Sequence, residues 1–358
     1  MKKITKTIFY CVILCVLNKF YARIYKSKFL IIQYISMTES FLEALKKRVL
    51  LFDGAMGTEI QKLNPQPQDF PNTKDGFNDG LILSRPEWIK QIHRSYLNAG
   101  ADCIETNTFG GNKFKLDEYG FGDQTIEFNK QAAELARQVC NEFQDKTHFV
   151  IGSMGPSGFL PSSNDPDLGQ IPLDEIINAF ALQAEGLILG NVDALLIETS
   201  QDILEVKLVI EACHNVMKKV QKEIPIIANI TLDQYGKMLL GTNVQSAYTT
   251  VSDMGITIFG LNCSTGPDEM TSSVIWLDEQ QDLPILVVPN AGMPHNEGGK
   301  AVYKMTPDKL STKLEEFILK YRNIKIIGGC CGTTPEHIAE LRKMIDNNNN
   351  IKINNPES

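Results

Sequence analysis

Residues 224–261 read IPIIANITLDQYGKMLLGTNVQSAYTTVSDMGITIFGL, and this stretch shows the unit from which the fold is built. It begins with one apolar run, 224–230, and ends with a second, 256–261. Neither run alternates polar with apolar residues, which is typical of strands buried on both faces of a parallel sheet. The segment 243–254 between them has the amphipathic pattern of a helix. The stretch therefore predicts a strand–helix–strand unit.

The same unit recurs from residue 48 onward. Further apolar runs lie at 49–52, 103–105, 149–152, 194–197, 285–288 and 324–327, and helical segments lie at 86–99, 125–143, 173–190, 203–220, 267–279, 307–321 and after Pro335. Eight strands alternating with helices over such a length predict an α/β fold, a (β/α)8 TIM barrel, which we place at 37–346. The alternative is an open doubly wound sheet. That fold would show a G-x-G-x-x-G motif after the first strand, where residues 52–58 instead read FDGAMGT.

The composition argues against one class of partner. The chain has 358 residues, of which 43% are hydrophobic and 22% charged, and its formal net charge is −8. These values are ordinary for a globular protein. No basic patch of the kind that nucleic-acid binding requires is evident in the sequence. We therefore expect no nucleic-acid partner.

Chemistry in a TIM barrel is expected at the C-terminal ends of the strands. The unusual residues of this chain follow the predicted strands at those ends: Asp53-Gly54, Glu105-Thr-Asn107, Gly155-Pro156, Glu198-Thr199, Asn262-Cys263, Asn290-Ala-Gly292 and Gly328-Gly-Cys-Cys-Gly332. The predicted barrel therefore gathers these seven segments at one rim, and that rim is the expected functional site.

Three cysteines lie on this rim. Cys330 and Cys331 are framed by glycines, and Cys263 follows the sixth strand, two strands away from them. Neighbours along a regular strand point to opposite faces, but glycine lets the chain bend where the strand ends, so both thiols of the pair are free to face one ion. Three cysteines with no nearby histidine suit zinc with one position left open. Asn290, at the end of the seventh strand, is the expected displaceable fourth ligand.

Other interpretations of these residues exist. Cys330 and Cys331 would also fit a packed or redox-active thiol pair, whereas the single cysteines at 103, 140 and 213 are typical of small buried hydrophobic residues. Asp53 and Glu198 would fit a carboxylate pair for glycoside hydrolysis, although that chemistry leaves the cysteines without a role. The five histidines form no H-E-x-x-H pair. Zinc bound by three thiolates accounts for more of the rim than either alternative.

Five motifs resemble those of the homocysteine S-methyltransferases: Asp53-Gly-Ala-Met-Gly-Thr58, Glu105-Thr-Asn-Thr-Phe109, Asn262-Cys-Ser264, Pro289-Asn-Ala-Gly292 and Gly328-Gly-Cys-Cys-Gly332. The resemblance runs from about 41 to 345 and is greatest to the homocysteine-binding module of cobalamin-dependent methionine synthase. It implies one zinc per chain on Cys263, Cys330 and Cys331, with the homocysteine sulfur at the open position. It further implies that Asp53 and Glu198 bind the substrate amino group, and that backbone amides near Gly54 and Ala55 bind its carboxylate.

The resemblance implies methyl transfer to the thiolate of L-homocysteine, giving L-methionine. We expect a free-standing enzyme or the homocysteine half of a split methionine synthase. The alternative is a non-catalytic subunit that binds homocysteine and zinc and needs a partner for methyl transfer. The sequence shows no cobalamin motif, so methylcobalamin is expected only on another protein. The donor stays open between such a protein and S-methylmethionine, S-adenosylmethionine or betaine.

Both ends of the sequence look different from the barrel. Residues 1–36 resemble an apolar leader, for which a membrane anchor or an export signal are alternatives. The run at 8–17 is too short to span a bilayer, and Met-Thr-Glu-Ser at 37–40 resembles an ordinary start. We therefore expect translation to begin at Met37, a cytoplasmic protein and no membrane association, because zinc thiolates would oxidise outside the cell. Residues 347–358, which include four consecutive asparagines, predict a disordered polar tail.

Overall fold

The computed structural model of the chain describes residues 39–298 and 300–354. The barrel falls within one compact unit that begins at Ala44. The predicted leader at 1–36 and the predicted start at Met37 lie outside the described residues. Within the described part of the chain, none of the helices combines the length and the hydropathy needed to cross a membrane.

Eight parallel strands form one sheet in the described part of the chain. They are β1 (Leu50–Leu51), β2 (Cys103–Glu105), β3 (Phe149–Met154), β4 (Ala194–Ser200), β5 (Ile226–Ile230), β6 (Ile258–Asn262), β7 (Ile285–Val288) and, after a short antiparallel hairpin of β8 (His295–Glu297) and β9 (Lys300–Val302), β10 (Ile324–Ile327). The order is β1-β10-β7-β6-β5-β4-β3-β2. A parallel bridge between Phe52 and Cys103 joins the two outer strands. The predicted (β/α)8 barrel is confirmed.

Helices cover the outside of the barrel. They are α1 (Phe41–Lys47), α2 (Met56–Lys62), α3 (Leu81–Ser84), α4 (Pro86–Asn98), α5 (Lys113–Glu118), α6 (Thr125–Cys140), α7 (Leu173–Leu189), α8 (Ile203–Val220), α9 (Val244–Val251), α10 (Pro267–Gln280), α11 (Pro307–Lys320) and α12 (Pro335–Asn354), with 3-10 turns at Pro67–Asp69, Pro71–Thr73, Gly122–Gln124 and Ser252–Met254. Each predicted helix is present, and most ends agree within a few residues. The apolar runs become strands because both faces are covered: β3, β5, β6 and β7 are buried along their whole length.

The C-terminal end differs from the prediction. The sequence predicts a disordered tail from residue 347, whereas α12 continues to Asn354. The Asn348 side-chain amide donates to Glu315 Oε1 at 2.8 Å and to Met344 O at 3.0 Å. These bonds hold residue 348 in the helix and against α11, although asparagine has a low intrinsic helix propensity. Residues 355–358 lie outside the described residues.

The buried carboxylate of Asp102 links several elements at the end of the barrel opposite the predicted site. Asp102 precedes β2, and its side chain accepts a hydrogen bond from Leu51 N at 2.9 Å. It also forms ion pairs with Lys146 at 2.8 Å, Arg342 at 3.2 Å and Arg48 at 3.5 Å. Arg342 belongs to α12 and Leu51 to β1, so this cluster links the first and last units of the barrel.

Candidate metal and substrate site

The three predicted cysteines come together at the C-terminal rim. Cys263 follows β6, and Cys330 and Cys331 follow β10, so the two segments flank the end of β7. Their Sγ atoms all lie within 4.8 Å of one another. The Sγ atoms of Cys263 and Cys331 are 3.7 Å apart. A tetrahedral zinc ion about 2.3 Å from each sulfur separates two sulfurs by roughly 3.8 Å, so the spacing fits this ion.

The turn after β6 accounts for the placement of Cys263. Cys263 and Ser264 both have a φ of 61°, in the left-handed region that non-glycine residues rarely adopt. Such a residue costs about 1–3 kcal/mol, which the surrounding structure must offset. The Cys263 amide donates to Val288 O at 3.3 Å, and the Thr265 amide donates to Cys263 O at 2.7 Å. The chain therefore leaves β6 in a sharp turn that starts at the cysteine.

The turn after β10 is held by backbone and hydroxyl hydrogen bonds. The Cys330 amide donates to Pro289 O at 2.8 Å, and the Thr333 hydroxyl donates to Cys330 O at 2.6 Å. A Cβ atom on Gly329 would lie 2.4 Å from Thr333 Cγ2, so this turn requires glycine there. Gly329 therefore serves close packing, a role beyond the backbone bend that the sequence predicts for the framing glycines.

Protons are shared unequally among the three thiols. Hydrogen bonds from Cys263 and Cys330 lower the pKa of Cys331 to about 3. At Cys263, a hydrogen bond from Cys330 lowers the pKa, but the bond to Cys331 and burial outweigh it and raise the pKa to about 12. The pKa of Cys330 is raised by its hydrogen bonds to Cys263 and Cys331 and by burial. The three thiols therefore interact strongly with one another, and a divalent metal bound between them would displace their protons.

Two predicted carboxylates, Asp53 and Glu198, lie buried in the same barrel mouth. Asp53 Oδ2 accepts from the Glu105 amide at 3.0 Å. Glu198 accepts from the Ser153 hydroxyl through Oε1 and from Asn262 Nδ2 at 3.2 Å through Oε2. Burial raises the pKa of both groups, and burial together with the charge of Cys331 brings the pKa of Glu198 to about 7. A bound cation would relieve this burial of negative charge.

Two further acidic residues, Glu105 and Asp79, join Asp53 and Glu198 in a carboxyl cluster. Burial first, and then the charges of Glu198 and Asp53, raise the pKa of Glu105. Asp79 accepts from the Gly110 amide at 3.0 Å, and burial raises its pKa to about 6. Glu105 lies at the predicted rim, but the sequence indicates no role for it. Asp79 was not predicted, because it precedes α3 in a long loop where no strand end marks it.

The other predicted site residues, Asn290, Ala55 and Gly54, differ in their hydrogen bonding and packing. Asn290 is 1% exposed, and its Oδ1 atom has no hydrogen-bond partner among the described residues. An unpartnered buried amide oxygen is costly unless it binds a ligand or water. The Ala55 amide already donates to Thr333 Oγ1 at 3.2 Å. At Gly54, a Cβ atom would lie 2.8 Å from Tyr96 Cε1 and 2.9 Å from Thr333 Oγ1, so glycine is needed there for packing.

Tyr303 is the second residue that the sequence analysis missed. It follows β9 in the long connection between β7 and α11, and burial and the charge of the nearby Cys331 raise the pKa of its hydroxyl group. Its ring packs against Gly332, where a Cβ atom would lie 2.3 Å from Tyr303 Cγ. No periodic pattern or motif marks this loop. The one available signal was the glycine at 332, which leaves room for a neighbouring ring.

The chain is similar to known proteins along nearly all of the barrel. The family model described as homocysteine S-methyltransferase matches residues 50–345. The methionine synthase of Mycobacterium tuberculosis (strain ATCC 25618 / H37Rv) is 38% identical over 308 residues, which cover 86% of this chain and 25% of that protein. The methionine synthase of Mycobacterium leprae (strain TN) is 37% identical over 302 residues, which cover 84% of this chain and 24% of that protein. The chain thus spans about a quarter of the length of these curated relatives.

A solved structure supports the fold. The metallated form of the homocysteine methyltransferase MmuM from Escherichia coli superposes with a TM-score of 0.67 and 23% identity, covering 83% of this chain and 96% of that one. That likeness shows the barrel alone. The matched family model covers more than half of the chain, and the mycobacterial relatives share well over 30% of their aligned residues with it. The chain belongs to the homocysteine S-methyltransferase family.

Proposed function

We propose that the chain carries out zinc-dependent methyl transfer to the sulfur of L-homocysteine, giving L-methionine. One observation carries the proposal: three sulfur atoms within 4.8 Å of one another share a barrel mouth with buried carboxyl groups. The sulfurs suit a soft metal and a thiol substrate, and the carboxyl groups suit the substrate's amino group. Membership of the family supports this substrate.

The donor set supports zinc on Cys263, Cys330 and Cys331. Together they form the candidate metal-binding group found within the described residues. Three thiolates leave one tetrahedral position open, which is typical of a catalytic zinc site. Asn290 Oδ1 is buried and has no hydrogen-bond partner within the described part of the chain, which supports Asn290 as the displaceable fourth ligand. Bound zinc would hold the incoming thiol as its thiolate, the form that acts as a nucleophile.

The carboxyl cluster supports the orientation of the substrate. Asp53 and Glu198 are 4% and 6% exposed, so an ammonium group placed between them would be shielded from water and strongly attracted. The substrate carboxylate would then lie toward the amides of Gly54 and Ala55. Ala55 N would have to share or release its 3.2 Å bond to the Thr333 hydroxyl. This orientation directs the substrate sulfur toward the cysteines.

The proposed substrate site is compatible with two kinds of methyl donor. It would serve the homocysteine half of a split methionine synthase, in which another protein carries methylcobalamin. A free-standing enzyme with a small donor would use the same substrate site. The proposed zinc thiolates would survive in a reducing compartment, and the six described cysteines are free thiols, which supports a cytoplasmic protein.

The test is a donor-by-donor assay of the purified, zinc-loaded chain. L-homocysteine is supplied with methylcobalamin, S-methylmethionine, S-adenosylmethionine or betaine, and methionine is measured by mass spectrometry. We expect methionine with one donor class and about one zinc per chain. Zinc binding without methionine from any donor would favour a non-catalytic binding subunit.

The matched variants are Cys331→Ala and Cys213→Ala. Cys213 is also a free cysteine, but it is buried in α8, away from the rim. Cys331→Ala should lose zinc and methionine formation together, because zinc affinity depends on every thiolate ligand. Cys213→Ala should keep both. Full zinc occupancy in Cys331→Ala would contradict the metal assignment.

A further inference from the structure

Asn262 reaches across the barrel mouth from the end of β6 to the end of β4. β5 lies between these two strands in the sheet, so strand pairing does not supply this contact. The pairing of β4 with β5 shifts register between Ile197 and Ser200, and Glu198 and Thr199 occupy that irregular position. The buried side chain of Asn262 forms hydrogen bonds with both of these residues. It therefore links two strands that are not neighbours.

The hydrogen bonds fix the orientation of the Asn262 amide group. The backbone N–H of Thr199 can only donate, so the side-chain atom 2.9 Å from Thr199 N is the acceptor Oδ1. Nδ2 is then the atom that donates to Glu198 Oε2 at 3.2 Å and to Thr199 Oγ1 at 3.0 Å. Each N–H group of Nδ2 thus has its own acceptor. The amide cannot be turned over without losing these bonds.

The same amide stabilises an unfavourable backbone conformation. Thr199 has a φ of 57°, in the left-handed region, where a β-branched residue is a genuine outlier. Such a conformation persists only where the surroundings hold it. Asn262 bonds both the backbone amide and the hydroxyl of Thr199. The position of Glu198, the residue just before it, therefore depends on Asn262.

Hydrogen bonds hold both carboxylate oxygens of Glu198. The Ser153 hydroxyl donates to Oε1, and Asn262 Nδ2 donates to Oε2. An ionised carboxylate has about four acceptor positions, so each oxygen keeps roughly one for a further donor. An ammonium group carries only donors and is a suitable partner for those positions. The two protein donors therefore orient the carboxylate and leave it able to bind a ligand.

The peptide group between Asn262 and Cys263 is held on both sides. Asn262 O accepts from the Thr231 hydroxyl at 2.9 Å, just after β5. The Cys263 amide donates to Val288 O at 3.3 Å, at the end of β7. The Asn262 amide and the Cys263 thiol thus belong to neighbouring residues whose connecting peptide is fixed. The carboxylate that Asn262 orients is therefore set relative to the Cys263 sulfur.

We propose that Asn262 is a positioning residue that orients Glu198 toward the substrate ammonium group and sets this carboxylate relative to the sulfur of Cys263. The inference rests on the proposed function, because it requires homocysteine to lie between the carboxylate and the cysteines. The ammonium group and the sulfur of homocysteine stand at the two ends of a short carbon chain. Both must meet their partners at once, so the relative placement of those partners decides how well the substrate binds.

Homocysteine and its desamino analogue test the inference. Desamino-homocysteine (γ-mercaptobutyrate) has the same carbon chain, thiol and carboxylate but lacks the amino group. Binding of each ligand to the zinc-loaded full chain is measured by calorimetry for wild type and Asn262→Ala. The variant should bind L-homocysteine about tenfold more weakly, the effect of losing one hydrogen bond to a charged group. It should bind desamino-homocysteine with wild-type affinity.

The ratio of the two affinities separates positioning of Glu198 from a purely structural role. An equal loss for both ligands would assign Asn262 to the turn that carries Cys263 and overturn the inference, and so would wild-type affinity for both. A wild-type chain that binds the two ligands equally well, or binds neither, would instead overturn the proposed function.

Asn129→Ala is the matched control. Asn129 is also buried, and its side-chain amide donates to Gly111 O at 2.7 Å and to Thr125 O at 2.8 Å. It lies in α6, in the helix layer around the barrel. Its replacement should leave the ratio of the two affinities unchanged. A change in that ratio as large as in Asn262→Ala would count against a specific role for Asn262.

A measurement on the wild-type chain keeps the test independent of the folding of Asn262→Ala. The side-chain amide resonances of Asn262 are followed by NMR in isotope-labelled, zinc-loaded protein and are assigned through its own Cβ atom. They should shift when L-homocysteine binds and shift much less with desamino-homocysteine, because only the ammonium group changes the charge of the carboxylate that Nδ2 faces. Equal shifts with both ligands would contradict the inference.

Discussion

At the scale of a single residue, the buried carboxyl group of Glu198 affects the stability of the protein and would affect substrate binding. Its carboxyl group is 6% exposed, and burial raises its pKa from 4.5 to about 7. Between these two pH values the folded protein keeps a proton that the unfolded chain has lost. Stability therefore falls as the pH rises from 4.5 to 7, and the loss is complete above that range. A bound ammonium group would offset the loss of stability that accompanies the charged form of Glu198.

Glu198→Gln should separate the two effects. In metal-free protein at pH 8, the variant should gain up to about 3 kcal/mol of unfolding free energy, because no charge is buried. At pH 5 the gain should vanish, since the wild-type carboxyl group is then protonated. Homocysteine affinity should fall by roughly tenfold or more, the contribution of a charged hydrogen bond. Urea unfolding at both pH values and calorimetric titration measure the two changes.

Glu205→Gln is the matched control for this prediction. Glu205 is also buried, and burial raises its pKa to about 7, but it accepts hydrogen bonds from Ser157, including one from the Ser157 amide at 2.9 Å. Its replacement should leave homocysteine affinity unchanged. An equal loss of affinity in both variants would remove Glu198 from the substrate site.

At the scale of elements, the turn between β10 and α12 joins Cys330 and Cys331 to the helix layer. Thr333 is its central residue, since its hydroxyl donates to Cys330 O at 2.6 Å and accepts from the Ala55 amide at 3.2 Å. The same hydroxyl would lie 2.6 Å from a Cβ atom on Gly329. One methyl group at Gly329 would therefore disturb both cysteine placement and the α2 start.

Gly329→Ala and Gly57→Ala form a matched pair. Gly329→Ala should cost about 1–3 kcal/mol of stability through overpacking and should weaken zinc binding, because Cys330 moves with Thr333. At Gly57, in α2, a Cβ atom meets nothing within 4 Å. Gly57→Ala should therefore raise stability by about 0.4–1 kcal/mol and leave zinc affinity unchanged. Denaturant midpoints and chelator competition measure both, and wild-type zinc affinity in Gly329→Ala would disprove the role of this turn.

The elements differ in how far the sequence predicts them. Strands such as β5 and β6 are recognisable because burial on both faces demands continuous apolar runs, and the glycine-framed cysteines show where β10 ends. The β8–β9 hairpin is exposed at His295–Glu297, so no core requirement shapes its pattern. Tyr303 and Asp79 come from such loops. Their roles depend on contacts made across the barrel mouth, which local periodicity does not encode.

In the whole molecule, the candidate site and the stabilising Asp102 cluster lie at opposite ends of the barrel. The cysteines and carboxyl groups lie at the C-terminal ends of the strands, while the Asp102 cluster lies at the start of β2. This division is general for TIM barrels, in which the N-terminal face serves stability. Since Asp102 joins β1, β2 and α12, it acts where the first and last units of the chain must meet for the ring to close.

Asp102→Asn should therefore destabilise the fold without changing the site. Its side chain is 1% exposed and pairs with Lys146, Arg342 and Arg48. Replacing this buried carboxylate removes the negative charge that the three cations share and should cost about 3 kcal/mol. Asp346→Asn is the control, because Asp346 also pairs with Arg342, at 2.6 Å, but is 59% exposed, and an exposed pair contributes less than about 1 kcal/mol. Urea unfolding should rank the two variants in this order, with zinc affinity at the wild-type value in both. A loss of zinc affinity in folded Asp102→Asn would show that the two ends of the barrel are coupled.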